Sequence, residues 1–198
     1  MERRKTELNL VVGINGTGKT TFISDEIVSK SQKSLVVTPD GAEWKHLPII
    51  APDELRTFTG SGRIIYENKE TLELISKNFH GGNLILDDAM AYLTNQTPEI
   101  MRYIYIRRRQ FGIDIYIVAH GLRQLPPQVF TFASYLILFN STENFSVRKR
   151  ELQPELFNRI ELAQKNIAKI VSLGNPYYYE IMLLDPQIAA IYGTKTNR

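Results

Sequence analysis

Short apolar runs rich in leucine, isoleucine and valine recur along the chain, and each has the length of a buried strand. They lie at residues 8–12, 34–38, 63–66, 83–87, 113–119 and 135–139. Segments with helical character follow or separate them at residues 19–30, 69–79, 98–110 and 155–171. Because strands alternate with helices, the pattern predicts an α/β fold in three layers, with a mainly parallel central sheet covered on both faces.

The last apolar runs of the chain predict a β-hairpin. They lie at residues 177–184 and 188–192, on either side of the turn signal Asp185-Pro186. Residues 42–62 contain scattered prolines and glycines and are predicted to be irregular. The sequence shows no internal repeat, low-complexity tract or linker, so residues 1–198 are predicted to form a single domain.

The segment between the first predicted strand and the first predicted helix matches the phosphate-binding pattern G-x-x-x-x-G-K-[ST] at every fixed position. It runs Gly13-Ile14-Asn15-Gly16-Thr17-Gly18-Lys19-Thr20, and Thr21 follows it. Backbone N–H groups of such a loop wrap phosphate oxygens, helped by the positive end of the helix. Lys19 is predicted to reach the β- and γ-phosphates, and Thr20 to place its hydroxyl on Mg²⁺. The sequence therefore predicts a P-loop NTPase that binds ATP with Mg²⁺.

The predicted strand at residues 83–87 ends in an acidic pair, Asp87 and Asp88. In a P-loop protein the first acid holds Mg²⁺ directly or through water, so Asp87 joins Thr20 as a predicted metal residue. Asp88 is predicted to polarise the water that attacks the γ-phosphate. The alternative is that both acids only cap the turn that follows.

His120 follows the predicted strand at residues 113–119. The carboxyl ends of parallel strands face the ligand crevice, so His120 is predicted to contact the γ-phosphate or the attacking water. The alternative is a loop histidine satisfied by a backbone carbonyl.

Arg107, Arg108 and Arg109 end the helix before this strand. Cations stabilise helix C-termini, which is one explanation for them. The other is an arginine finger that acts on the nucleotide of a neighbouring subunit, with Arg109 as the preferred residue.

Composition narrows the function classes further. The chain has 198 residues, a net charge of +3 and no cysteine, which excludes disulfides and thiolate metal sites. No apolar stretch reaches the length of a membrane span, and the N-terminal run is too short for a signal-peptide core, so a cytoplasmic location is expected. The charge permits a polyanionic partner, and residues 148–150 form one of the basic clusters of the chain.

These motifs together resemble the FtsK–HerA superfamily of DNA-pumping ATPases, most closely the small genome-packaging ATPases of membrane-containing icosahedral viruses. The zonula-occludens-toxin-like assembly ATPases of filamentous phages are a related match. The similarity extends in order over residues 8–140. It is carried by the P-loop, the acidic strand ending at 87–89, the segment 109–115 leading to His120, the pair Leu125-Pro126 and the strand at 135–139.

The resemblance implies an ATP-hydrolysing motor that packages or translocates double-stranded DNA. For such a motor, the basic cluster at residues 148–150 is the main candidate for DNA contact. It also implies a ring of identical subunits, a pentamer or a hexamer, with an arginine supplied by the neighbouring subunit. For a viral protein, capsid or membrane vertex proteins would be further partners, and the location would be the host cytoplasm or the virion vertex. In the family the residue at position 120 is usually glutamine and the acid at position 88 is usually glutamate, and this chain departs from both.

Other functions are also compatible with parts of the pattern. A filamentous-phage-type assembly ATPase and a small-molecule or nucleotide kinase both use a P-loop, although the arginines at 107–109 run straight into a strand and leave no room for a kinase lid. A GTPase would need an N-K-x-D segment, and residues 68–71 lack its final aspartate and come too early. A non-catalytic nucleic-acid-binding module would leave the P-loop unexplained.

Overall fold

The computed structural model describes residues 5–93 and 99–184, and its strands form one seven-stranded sheet. The strands are β1 (Leu8–Val12), β2 (Lys33–Thr38), β3 (Gly60–Ile65), β4 (Gly82–Leu86), β5 (Ile113–Ala119), β6 (Tyr135–Leu138) and β7 (Glu180–Leu183). Their order across the sheet is β3-β2-β4-β5-β1-β6-β7. Neighbouring strands are parallel except β6 and β7, which are antiparallel. The predicted mainly parallel sheet is confirmed.

Helices cover both faces of this sheet. They are α1 (Lys19–Phe22), α2 (Lys69–Asn78), α3 (Glu99–Phe111), α4 (Pro127–Phe132) and α5 (Pro154–Ser172). Leu10 and Val12 of β1 belong to a larger apolar cluster with residues of α2, α3 and α5. Val11, which points to the opposite face, belongs to a second cluster with Ile23. The two clusters give the three layers that the alternating pattern predicts.

The strand order determines which loops meet. β5 lies between β1 and β4 and is parallel to both, with Val12 opposite Ala119 and Leu86 opposite Ile117. The segments that follow these strands therefore emerge at the same edge of the sheet. The P-loop, the acidic pair and His120 are brought together by this topology alone.

Local structure differs from the sequence predictions at two elements. β3 begins at Gly60, inside the segment predicted to be irregular. Gly62 is needed there because a Cβ at this position would lie 2.4 Å from Cγ1 of Ile50. The short helix α4 was not predicted, since six residues are too few to show a helical period and they include β-branched and aromatic types.

The structure describes only the first of the two strands predicted for the C-terminal hairpin. β7 lies within the first of its segments and pairs with β6 at the edge of the sheet. The second segment, residues 188–192, lies outside the described residues.

The predicted helix at 19–30 is present, but α1 continues as a wider helical turn at Ile23–Val28, in which Ser29 N donates to Ser24 O at 2.9 Å. No helix among residues 5–93 and 99–184 is long and apolar enough to span a membrane.

Candidate nucleotide-binding site

The P-loop is anchored at its first residues to the strands beside β1. Gly13 N donates to Ala119 O at 3.2 Å, and Ile14 N donates to Asn140 O at 2.9 Å. Gly13 packs so closely that a Cβ there would lie 2.5 Å from Cβ of Phe139. The loop then turns through Gly16 and Gly18, whose φ angles of 77° and 93° favour glycine. These positions explain why the glycines of the motif are required.

Lys19 is buried within the loop that precedes it. Its Nζ donates to Gly13 O at 2.6 Å and to Ile14 O at 3.0 Å. Burial lowers the pKa of this ammonium, and the negative charges of Asp87, Glu43 and Asp88 oppose that shift. The Lys19 ammonium thus links the two ends of the loop and faces the carboxyl groups of Asp87, Glu43 and Asp88.

A cavity of about 490 Å³ opens over the P-loop. It contains the sequence-predicted residues Asn15, Gly16, Gly18, Lys19, Thr20, Thr21, Asp87, Asp88 and His120. It also contains Thr38, Pro39, Asp40, Glu43, Val118 and Tyr177, none of which the sequence indicated as site residues. The cavity is large enough for a small ligand, and it lies at the carboxyl edge of the sheet, where such ligands bind in this class of fold.

Asp87 is fixed immediately after β4. Its backbone N donates to Val37 O at 2.9 Å, and its carboxylate accepts a hydrogen bond from Trp44 Nε1 at 2.7 Å. Asp87 is 6% exposed and Trp44 is 4% exposed, so this bond is shielded from water. The tryptophan therefore orients the acid that is predicted to hold the metal.

Asp88 has an unusual backbone conformation, with a φ of 57°. Its Oδ1 atom is buried and makes no hydrogen bond within the described part of the chain. A non-glycine residue in the left-handed region is uncommon, and such strain occurs most often at functional sites. The geometry is that of a carboxylate held in the cavity without a protein donor for this oxygen.

Glu43 is the main residue that the sequence analysis missed. Its carboxyl group contacts that of Asp87, and this contact, together with burial, raises the pKa of Glu43 to about 7. The loop that carries Glu43 is held by the buried guanidinium of Arg63, which donates to the carbonyls of Gly41 and Glu43. The neighbouring Trp44 has a φ of 55°. No motif in the sequence marks this loop, and the pairing of β2 with β4 brings it near Asp87.

His120 lies in the cavity at the end of β5, as the sequence predicted. Its backbone N donates to Oε1 of Gln124 at 2.8 Å. Its ring Nδ1 is buried and has no hydrogen-bond partner among the described residues. The alternative prediction is a histidine whose ring hydrogen-bonds to a backbone carbonyl. Nδ1 makes no such bond within the described part of the chain.

The arginines at 107–109 lie far from this cavity. They end α3, just before β5 begins, so the length of β5 separates them from His120, on the order of 20 Å. Arg107 stacks on Tyr103, with its guanidinium 4.7 Å from the ring centroid, and Arg108 Nη1 donates to Tyr105 O at 2.9 Å. Arg109 is exposed. It cannot act on the cavity of its own subunit.

The donor chemistry of the cavity fits a magnesium ion. Mg²⁺ prefers oxygen ligands, and the Thr20 hydroxyl and the Asp87 carboxylate are both present. The contact between the Asp87 and Glu43 carboxyls places two potential negative charges together, which a divalent cation would offset. Within the described ranges no group of three or more His, Asp or Glu side chains forms a metal cage, whereas Mg²⁺ at nucleotide sites is commonly held by one or two carboxylates and substrate phosphates.

One basic residue proposed for DNA contact has a structural role instead. The side chain of Arg148 is only 13% exposed, and its Nη2 donates to Arg123 O at 2.6 Å and to Leu125 O at 3.0 Å. It therefore ties the segment after β6 to the segment after β5. Lys149 and Arg150 are exposed beside it, and so is Arg123.

Comparison with known proteins shows which solved structures have a similar fold. The sequence matches no family model, and no curated protein is significantly similar to it. Among solved structures, the genome-packaging NTPase B204 of Sulfolobus turreted icosahedral virus 2 in complex with ATPγS has a TM-score of 0.68 at 15% identity, over 94% of this chain and 95% of B204. Its AMP complex has a TM-score of 0.67 at 17% identity, over 92% and 94% of the two chains.

A third structure, the N-terminal domain of zonular occludens toxin from Neisseria meningitidis, has a TM-score of 0.48 at 16% identity, over 94% of this chain and 98% of that domain. That likeness is too weak to support an inference. The similarity to B204 covers nearly the whole of both chains. This chain therefore has the P-loop NTPase fold.

Proposed function

We propose that this protein is an ATPase that hydrolyses Mg·ATP and uses the energy to move double-stranded DNA, as a genome-packaging motor does. The observation that carries the proposal is the cavity in which the P-loop, Asp87, Asp88 and His120 meet. They follow the ends of three strands, β1, β4 and β5, and together they supply phosphate binding, metal binding and water activation. The similarity to B204, which is named a genome-packaging NTPase, supports this choice among P-loop functions.

Each group has a distinct role in this proposal. Backbone N–H groups of the P-loop hold the phosphates, and Lys19 exchanges its bonds to the loop carbonyls for phosphate oxygens. Thr20 and Asp87 would hold magnesium, which when bound would offset the negative charge of the phosphates. His120 contacts the γ-phosphate or the attacking water through its buried Nδ1.

Water activation is assigned to Asp88, whose Oδ1 has no hydrogen-bond donor among the described residues. Aspartate is one methylene shorter than the glutamate expected at this position, so its reach is smaller. Glu43 lies in the same cavity and is the second carboxylate able to accept the proton. Single-turnover hydrolysis by Asp88→Asn and Glu43→Gln separates the two, because only the true base is required once ATP is bound.

The proposed DNA surface consists of Arg123, Lys149 and Arg150. They lie in the segments that follow β5 and β6, which Arg148 holds together at the same sheet edge as the cavity. A motor must accept every DNA sequence, so the contact is expected to be electrostatic and to weaken steeply with salt.

We also propose a ring of identical subunits, in which Arg109 of one subunit acts as an arginine finger on the nucleotide of its neighbour. Capsid or membrane vertex proteins would be its partners in the host cytoplasm or at the virion vertex.

The test is the rate of phosphate release with and without long double-stranded DNA, at several salt concentrations. We expect DNA to stimulate ATP hydrolysis in the wild type and to have little effect when Arg123, Lys149 and Arg150 are replaced by alanine. Replacement of Lys165 and Lys169, exposed cations of α5, is the matched control and should leave the stimulation intact. ATP turnover that does not change with DNA but depends on a small hydroxyl-bearing acceptor would identify a kinase instead.

A further inference from the structure

Tyr177 is an exposed aromatic side chain at the rim of the cavity. It lies in the turn between α5 and β7, lines the cavity and is 64% exposed. Its Cδ1 atom is 3.3 Å from the position that a Cβ on Gly18 would take. The missing side chain of Gly18 therefore lets the ring lie directly against the P-loop.

The strand order puts Tyr177 on the opposite side of the P-loop from the acidic residues. Asp87, Asp88 and His120 follow β4 and β5, which lie on one side of β1. Tyr177 precedes β7, which lies beyond β6 on the other side of β1. A triphosphate whose γ-phosphate faced the acids would extend from the P-loop toward the β6 side, where Tyr177 lines the cavity.

The segment that carries Tyr177 is fixed by groups that also build the P-loop. The ring of Tyr179 packs on Phe22 of α1 at 5.1 Å and on Phe139 at 4.9 Å between centroids. Phe139 is the residue that contacts Gly13. The backbone N of Tyr177 donates to Asn175 Oδ1 at 3.3 Å. The position of the exposed ring is thus coupled to the position of the loop.

We propose that Tyr177 binds the nucleobase of the nucleoside triphosphate by stacking on its face. This inference rests on the proposed nucleotide-binding function and adds the group that recognises the nucleoside end of the substrate. Stacking accepts any base, so Tyr177 contributes affinity for nucleosides more than discrimination among them. Loss of one base-aromatic stack weakens binding by about 5-fold to 150-fold.

The experiment compares ATP with inorganic tripolyphosphate, which has the phosphate chain but no base. Dissociation constants are measured by calorimetry for the wild type, Tyr177→Ala, Tyr177→Phe and the control Ile181→Ala, which removes an exposed side chain of β7 outside the cavity. We expect Tyr177→Ala to bind ATP at least 5-fold more weakly and tripolyphosphate as well as before. Tyr177→Phe and Ile181→Ala should bind both ligands like the wild type.

Fluorescence provides a second, independent measurement. In Tyr177→Trp a stacked base should quench the added indole when ATP binds, whereas tripolyphosphate should not. Unchanged ATP affinity in Tyr177→Ala, or an equal loss for ATP and tripolyphosphate, would overturn the inference and leave the proposed function standing. If the wild type binds neither ligand, the proposed function itself fails, and the inference fails with it.

Discussion

Replacing Trp44 with phenylalanine tests whether the candidate metal residue is held in place by a buried hydrogen bond. The substitution keeps an aromatic ring in the core but removes the N–H group that donates to Asp87 at 2.7 Å. The Asp87 carboxylate would then lose this donor in a place that water hardly reaches. Both stability and magnesium-dependent nucleotide binding should respond.

The expected size follows from the burial of both partners. A hydrogen bond to a charged group contributes about 1.5–3 kcal/mol to stability, and the upper part of that range applies where the acceptor is left without a donor. Trp44 and Asp87 are both nearly inaccessible to solvent. We therefore expect Trp44→Phe to lower the free energy of unfolding by about 2–3 kcal/mol, including a smaller loss from packing.

The assay is a double-mutant cycle in urea. Unfolding is measured for the wild type, Trp44→Phe, Asp87→Ala and the double variant, in the absence of metal. The coupling free energy should be about 1.5–3 kcal/mol if the hydrogen bond is responsible. The same variants are then titrated with ATP at rising Mg²⁺, and Trp44→Phe should need more Mg²⁺ for the same ATP affinity.

Ser134→Ala is the matched control. It removes another buried hydrogen bond, which Ser134 Oγ accepts from Leu8 N at 3.3 Å, at the edge of the sheet opposite the cavity. It should lower stability by about 1 kcal/mol and leave the Mg²⁺ dependence unchanged. The reasoning is refuted if the Trp44–Asp87 coupling is below about 0.5 kcal/mol, or if both variants change the Mg²⁺ dependence equally.

The remaining predictions concern the cavity charges and the assembly. Lys19→Ala should abolish measurable ATP binding and turnover, and normal turnover would remove the basis of the proposed function. Asp88→Asn should bind Mg·ATP normally but hydrolyse it slowly in a single-turnover assay; an unchanged rate assigns the base to Glu43. Because contact with Asp87 raises the pKa of Glu43 from 4.5 to about 7, the folded metal-free protein holds a proton that the unfolded chain releases. Its free energy of unfolding should therefore fall by about 1 kcal/mol between pH 4.5 and 7, after discounting for solvent screening, and Glu43→Gln should flatten that slope. Arg109→Ala mixed with Lys19→Ala should recover part of the ATPase activity that each lacks alone; no recovery in mixed rings would mean that Arg109 only stabilises the end of α3.

Much of the fold and the phosphate end of the site could be predicted from local sequence signals. Buried parallel strands are continuous apolar runs, and residues that follow them meet at one edge whatever the strand order. This is why Asp87, Asp88 and His120 were identified without knowing that β5 lies between β1 and β4. The short helix α4 carries no comparable signal. Charge clusters were also a poor guide, because adjacency in sequence does not reveal that Arg148 turns inward to two carbonyls while Lys149 faces solvent.

Glu43, on the acidic side of the cavity, could not be predicted from the sequence for a different reason. Glu43 reaches Asp87 only because Arg63, from β3, holds two carbonyls of its loop and because Trp44 adopts a left-handed backbone conformation. Both conditions depend on tertiary contacts between residues that are far apart in sequence. The same is true of Tyr177, whose place beside Gly18 depends on β7 joining the sheet next to β6. The parts of the site that are predicted to hold phosphate are encoded in one short motif. The residues that would adjust its charge and bind the nucleoside come from loops positioned by the whole sheet, so mutations at Arg63 or Phe139 should affect nucleotide binding without touching the nucleotide.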